Sequence, residues 1–263
     1  MNKIKKVLVC FLSFVLVLST CSLYGFASGN QTIYEVLSSR GYPQYVLYEL
    51  CEEAKIDILN SESFFEDVEY IEYDENGNVI DNKNKCTALY GQIKESSLKL
   101  TIIVGKKVNN EKNVTFNYQW NILPVNRWQD PIAISWNDAY FRLKDNSFHK
   151  VDQYDYAIGS DYSKIYSAIK SSEEAYAGAG PNGCMWYADL KGHSTTTPVF
   201  SLYGYANFTL ECMKSSGSSQ IFAKYAHKKA TGSLSIGIPK FGSFSITGTS
   251  SFDELGTQIT VTA

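Results

Sequence analysis

From residue 64 onward the apolar positions recur with a period of two. SSLKLTIIVGKKV, NVTFNYQWNIL, PIAISW, FHKVDQYDYAIG, MWYADL, VFSLYGYANFTLECM, SQIFAKYAHKK and QITVTA each alternate, and Gly, Asn, Asp, Ser or Pro bounds each one. A residue pair facing opposite ways at every step is the mark of a strand with one covered face. Some ten such segments predict an all-β fold, an antiparallel sandwich or jelly-roll-like body over residues 63–263. Residues 28–62 differ. Val46, Leu47, Leu50, Cys51, Ala54 and Ile58 recur at three- and four-residue steps after Pro43, predicting a helix preceded by a shorter one over residues 33–39, a small helical hairpin. Tyr162, Ile165, Tyr166 and Ile169 share that spacing and predict one inserted helix within residues 160–174.

Residues 230–251, ATGSLSIGIPKFGSFSITGTSS, carry the most regular alternation. Leu234, Ile236 and Ile238 on one side of a Pro-Lys-Phe-Gly turn, with Phe244 and Ile246 on the other, form one apolar face. Ser and Thr fill the opposite face. Two readings fit: the last strand pair of a sandwich, or a hairpin that enters a bilayer with one face to lipid and one to water.

The first 27 residues read as a signal peptide, with Lys3, Lys5 and Lys6 before an apolar run over residues 7–18 and Gly25-Phe26-Ala27 at the cleavage position. Export is therefore expected. The mature chain has 263 − 27 = 236 residues and, without the three signal lysines, 21 basic against 27 acidic side chains, a net charge of −6. With no compensating basic cluster, nucleic-acid binding is not expected.

Four cysteines remain, Cys51, Cys86, Cys184 and Cys212, and an exported chain with an even number predicts disulfides. GCMWYADL and YANFTLECM read as neighbouring strands, which favours Cys184–Cys212 and leaves Cys51 for Cys86.

Candidate chemistry is sparse. His149, His193 and His227 are far apart in sequence and lie in no metal-ligand pair, so no metal or cofactor is expected. DENGNVID places Gly77 at the fourth position and Lys85 at the twelfth, which suits a turn rather than a calcium loop. Neither a nucleophile motif nor a distinctive carboxylate pair appears, and no catalytic residue is assigned.

Aromatic residues make up 14 % of the chain, and Trp120, Trp128 and Trp136 cluster in YQWNILPVNRWQDPIAISW. Such side chains on an exposed sheet present apolar faces with polar neighbours, which suits a polysaccharide or protein partner. Trp128, in a loop between Arg127 and Asp130, is the best placed for that contact. This stretch, with RGYPQYVLYELCEEAKIDIL, resembles uncharacterised secreted β-rich proteins of Gram-positive bacteria. The resemblance implies export and a β-rich body and assigns no activity. Two functions emerge: a secreted, non-catalytic sandwich binding an extracellular glycan or protein through its aromatic face, or a membrane-active pore former using the 230–251 hairpin, the only reading with membrane contact.

Overall fold

The computed structural model describes residues 32–69, 93, 97–106, 108–159, 161–172 and 176–263. Three helices come first: α1 (Ile33–Ser39), α2 (Gln44–Glu49) and α3 (Glu52–Asn60). Thr32 and Glu35 cap α1 reciprocally, the Thr32 hydroxyl accepting from Glu35 N and the Glu35 carboxylate from Thr32 N. The single long helix expected after Pro43 is broken, because Leu50 takes an extended conformation and Cys51 becomes the N-cap of α3.

Fourteen strands follow among the described residues: β1 (Phe65–Glu69), β2 (Leu98–Gly105), β3 (Glu111–Trp120), β4 (Gln129–Trp136), β5 (Phe141–Leu143), β6 (His149–Ile158), β7 (Asp161–Ser172), β8 (Tyr176–Gly180), β9 (Gly183–Asp189), β10 (Val199–Cys212), β11 (Ser218–Lys228), β12 (Leu234–Lys240), β13 (Ser243–Gly248) and β14 (Phe252–Thr262). A seven-stranded sheet has the order β1-β2-β3-β10-β6-β7, with β5 also on β10; a five-stranded sheet has the order β14-β11-β4-β9-β8. All pairings described are antiparallel. The expected all-β sandwich class holds.

The molecule has four layers. Between the two sheets lies the main core, where Phe116, Trp136, Trp186 and Phe208 are almost wholly buried. Leu37, Leu47, Ala54 and Ile58 of the helices close over the outer face of the larger sheet, against Ile103, Val151 and Tyr205. This double cover explains why β2 and β3 are buried nearly continuously rather than at alternate residues. Asp57 of α3 fastens the helical layer, accepting from the Tyr205 hydroxyl at 2.8 Å and meeting His149 Nδ1 at 2.5 Å. The fourth layer is the β12–β13 hairpin, which forms a two-stranded sheet of its own on the outside of the smaller sheet.

Three expectations change. Residues 161–172 form strand β7 rather than a helix, since β6 offers an antiparallel partner, regular from Lys150↔Ser172 to Tyr156↔Tyr166 and shifted in register before Ile158↔Asp161. Cys184 on β9 and Cys212 at the end of β10 sit in different sheets, and Cys184 is a free buried thiol, so the expected bond between them is not formed. Cys51 is likewise a free thiol; its expected partner Cys86 lies outside the described residues, as does the Asn76-Gly77 turn.

Candidate functional site

The hairpin grows out of the longest regular ribbon in the smaller sheet. β11 and β14 pair without interruption from Ser218↔Thr262 to Lys228↔Phe252. Beyond Lys228 the two chains leave the sheet and stay tied to each other: Lys229 N donates to Ser251 O at 2.9 Å, Thr249 N to Ser233 O at 3.0 Å, and the Ser250 hydroxyl to Ala230 O at 2.8 Å. Then the ribbon folds back. Gly232 (φ +124°) and Gly248 (φ +148°) lie one on each chain of the bend, Gly232 against Thr249 and Gly248 opposite Leu234. A Cβ on Gly248 would lie 2.2 Å from Ser233 O, and one on Gly232 would lie 2.6 Å from Thr249 Oγ1. Only glycine satisfies both the conformation and the close approach.

Past the bend, β12 and β13 pair from Leu234↔Gly248 to Lys240↔Ser243. Leu234 and Ile236 are buried, and Ile238, Phe244 and Ile246 partly so, against Ala133, Met185, Ala226 and Tyr187 of the sheet beneath. Gly183 lets Ile238 down onto β9: a Cβ there would be 2.6 Å from the Ile238 methyl. Ser245 and Thr247 point to solvent. The predicted apolar face is therefore real, and protein covers it.

What holds the hairpin down is side-chain contact. Among the described residues, no strand ladder joins β12 or β13 to the five-stranded sheet. Gly242 N donates to Ser135 Oγ at 3.0 Å, the Tyr187 hydroxyl to Leu234 O at 3.3 Å, and Asn126 Nδ2 to Lys229 O at 2.7 Å. The Phe222 and Phe241 rings meet edge to face at 5.5 Å near the tip.

The phase of the alternation runs through the bend. Ala226 and Phe252, outward-facing on β11 and β14, contribute to the same apolar cluster as Leu234, Ile236, Phe244 and Ile246. Lys228 to Leu234 spans six residues and Phe252 to Gly248 spans four, both even numbers. If the arm were straightened, its greasy side would continue the outer face of the ribbon. Between Lys229 and Asp253 the only charged residue is Lys240, at the tip.

Directly under the neck is a buried polar cluster. Asp130, fully buried at the start of β4, accepts from Lys228 N, from the Tyr225 hydroxyl and from His227 Nδ1, each at 2.8 Å. Burial raises the Asp130 carboxyl above its ordinary value, while the His227, Lys228 and Tyr225 contacts pull it back. Sequence reasoning passed over Asp130 as ordinary. The available signal was its phase, since it shares the inward face of β4 with Ile132, Ile134 and Trp136.

The tryptophans do not make a face. Trp120 and Trp136 lie in the core between the sheets, Trp120 Nε1 donating to the Tyr225 hydroxyl at 3.3 Å and Trp136 Nε1 to Pro181 O at 3.0 Å. The binding role expected of those two is corrected: large strand aromatics here fill the gap between sheets. Trp128 remains half-exposed in the loop beside the neck, with Lys228 Nζ 5.5 Å from its ring centre. The same loop exposes Ile122 (61 %) and Val125 (97 %).

No known family model and no curated protein matches this chain. Among solved structures it is similar to Clostridium perfringens delta-toxin, at 11 % identity and a TM-score of 0.32, covering 75 % of this chain and 95 % of that one. It is also similar to a structure titled as a pore forming protein (11 % identity, TM-score 0.33, 73 % and 96 % covered). A third is the Clostridium perfringens NetB toxin in the membrane inserted form (10 % identity, TM-score 0.28, 73 % and 96 %). With scores below 0.5, these likenesses assign this chain neither a family nor an activity.

Proposed function

We propose that this chain is an exported, membrane-active protein whose hairpin swings out on Gly232 and Gly248, so that residues 229–251 straighten and enter a bilayer as a β-ribbon. The observation that carries this reading is an amphipathic hairpin docked by one face only, in phase with the ribbon that would support it. Release exposes the apolar face, which costs about 1.5–3 kcal/mol for each of Leu234 and Ile236. Lipid contact returns that burial, so the exchange is nearly balanced.

Length supports it. Lys229 to Lys240 gives twelve residues on the outgoing strand, above the ~9–11 that a tilted membrane strand needs. A lone hairpin leaves unpaired backbone at both edges in hydrocarbon, so several copies must join their arms into a closed barrel. The neck end also suits a membrane surface: Ile122, Val125 and Trp128 stand beside Arg127, Lys228 and Lys229, apolar and basic groups together at one end of a net acidic chain.

Dye-loaded phosphatidylcholine/phosphatidylserine liposomes test the proposal. The mature chain is expected to release dye and to form SDS-resistant oligomers on the vesicles. Ser135→Cys with Gly242→Cys, which joins the tip to the sheet where Gly242 N already meets Ser135 Oγ, should abolish release until a reductant is added. Release that is unaffected by the bond sinks the reading.

A further inference from the structure

Independently of the hairpin, we propose that a cleft beside the neck end binds a saccharide. The β6–β7 ribbon forms its floor. The opposed pairs Asp152↔Lys170, Tyr154↔Ala168 and Tyr156↔Tyr166 place those side chains on one face of the ribbon. Tyr156 stands 5.6 Å from Tyr154 and 5.7 Å from Tyr166, ring centre to ring centre, so the floor is a short run of partly exposed tyrosines. The segment leaving β9 forms the wall: Asp189 pairs with Lys170, and Lys191 Nζ sits 5.6 Å from the centre of the Tyr154 ring. Between floor and wall is a cavity of about 290 Å³, lined by Asp152, Tyr154, Lys170, Asp189, Leu190 and Lys191.

The chemistry selects the ligand class. Ligand sites start near ~300 Å³, so the cleft holds one small group such as a pyranose ring. Two carboxylates and two ammonium groups stand beside an aromatic ring. Carboxylates accept from vicinal hydroxyls, ammonium groups donate to hydroxyl and ring oxygens, and a tyrosine face receives the C–H side of the sugar. Asp152 is already fixed for this, buried and bonded to the Tyr118 hydroxyl at 2.8 Å and Lys150 Nζ at 2.9 Å. A simple anion suits the cleft less well, because Asp152 and Asp189 both line it. Lys191 over Tyr154 is the movable part: an exposed cation–π contact is worth only about 0.5–1 kcal/mol, so a hydroxyl-bearing ligand displaces it readily.

The test uses the intact mature chain without lipid. Saturation-transfer NMR with methyl β-galactoside, methyl β-glucoside and methyl N-acetyl-β-glucosaminide at millimolar concentration should show transfer to at least one of them. Asp189→Asn, which removes charge from a partly exposed side chain, should weaken binding about tenfold; Tyr154→Ala should abolish it. No transfer to any of the three, or an Asp189→Asn variant and a Tyr154→Ala variant that both bind as the parent does, overturns the proposal. Vesicles with and without a glycolipid bearing the bound sugar then separate a lipid headgroup from a soluble or protein-linked glycan, and either source is consistent with the site. The Ser135→Cys/Gly242→Cys chain should bind the sugar normally, so failure of this site and failure of the membrane reading are told apart.

Discussion

The β6–β7 and β12–β13 hairpins invert each other. β6–β7 leaves Ile158, Tyr162, Ile165, Tyr166 and Ile169 between 41 % and 60 % exposed, yet β10 stitches it into the seven-stranded sheet through a backbone ladder. β12–β13 hides its best apolar residues, yet among the described residues no ladder joins it to the sheet, and side-chain packing with hydrogen bonds such as Gly242 N to Ser135 Oγ holds it. Exposure and detachability are thus separate properties. A ladder cannot be lifted without orphaning a row of backbone groups, whereas an apolar face comes away whenever another apolar surface takes its place.

Removing a side chain from each kind of attachment sharpens this contrast. Phe208→Ala empties the core beneath β10, where Phe208 stacks between Trp136 and Phe148, and should cost about 3–5 kcal/mol. Thermal unfolding followed by circular dichroism should show a Tm lower by about 10 °C. Ile236→Ala should cost about 2–3 kcal/mol, but locally. Amide exchange over residues 234–248 should accelerate by about 30- to 160-fold while the global Tm moves far less. An equal fall in Tm for both variants would mean that the hairpin is not a separate unit.

A smaller effect probes the anchor beneath the neck. The raised Asp130 carboxyl favours its protonated form in the folded chain. Its contribution to stability is complete below the ordinary carboxylate value and is lost as pH rises through the raised one. Urea midpoints of the parent relative to Asp130→Asn should therefore be most favourable below the ordinary carboxylate value of ~4 and decline as pH rises above it. A rising difference would contradict the assignment. Smallest of all, burial pushes the Cys51 thiol up to about 12, so iodoacetamide at pH ~8 should label it far more slowly than an ordinary thiol of pKa ~8.5. Mass spectrometry of timed aliquots reads the rate.

The alternation in β11 and β12–β13 made the fold class legible, because each of these strands records by its period which side is covered. Three kinds of information were not local. Tyr162, Ile165, Tyr166 and Ile169 suit a helix by spacing, but the adjacent β6 edge supplies a backbone ladder, and tertiary pairing overrides period. Trp120 and Trp136 look alike in sequence whether they face solvent or the opposite sheet, and only the second sheet decides. The Cys184 and Cys212 strands alternate as neighbours would, yet the chain order of the sheets separates them. Of the proposed sites, the hairpin's apolar face was readable in full. Its glycine bend and the Asp130 support emerged only from the register of β11 with β14 and β4.

The paired glycines at the bend have a spectroscopic consequence. Because the left-handed residues Gly232 and Gly248 flank a hairpin that is already paired, the arm is β-structure before it moves and would remain so afterwards. Its departure should be almost silent in far-ultraviolet circular dichroism. A distance probe between Lys240 and the core of the smaller sheet would see what the dichroism misses.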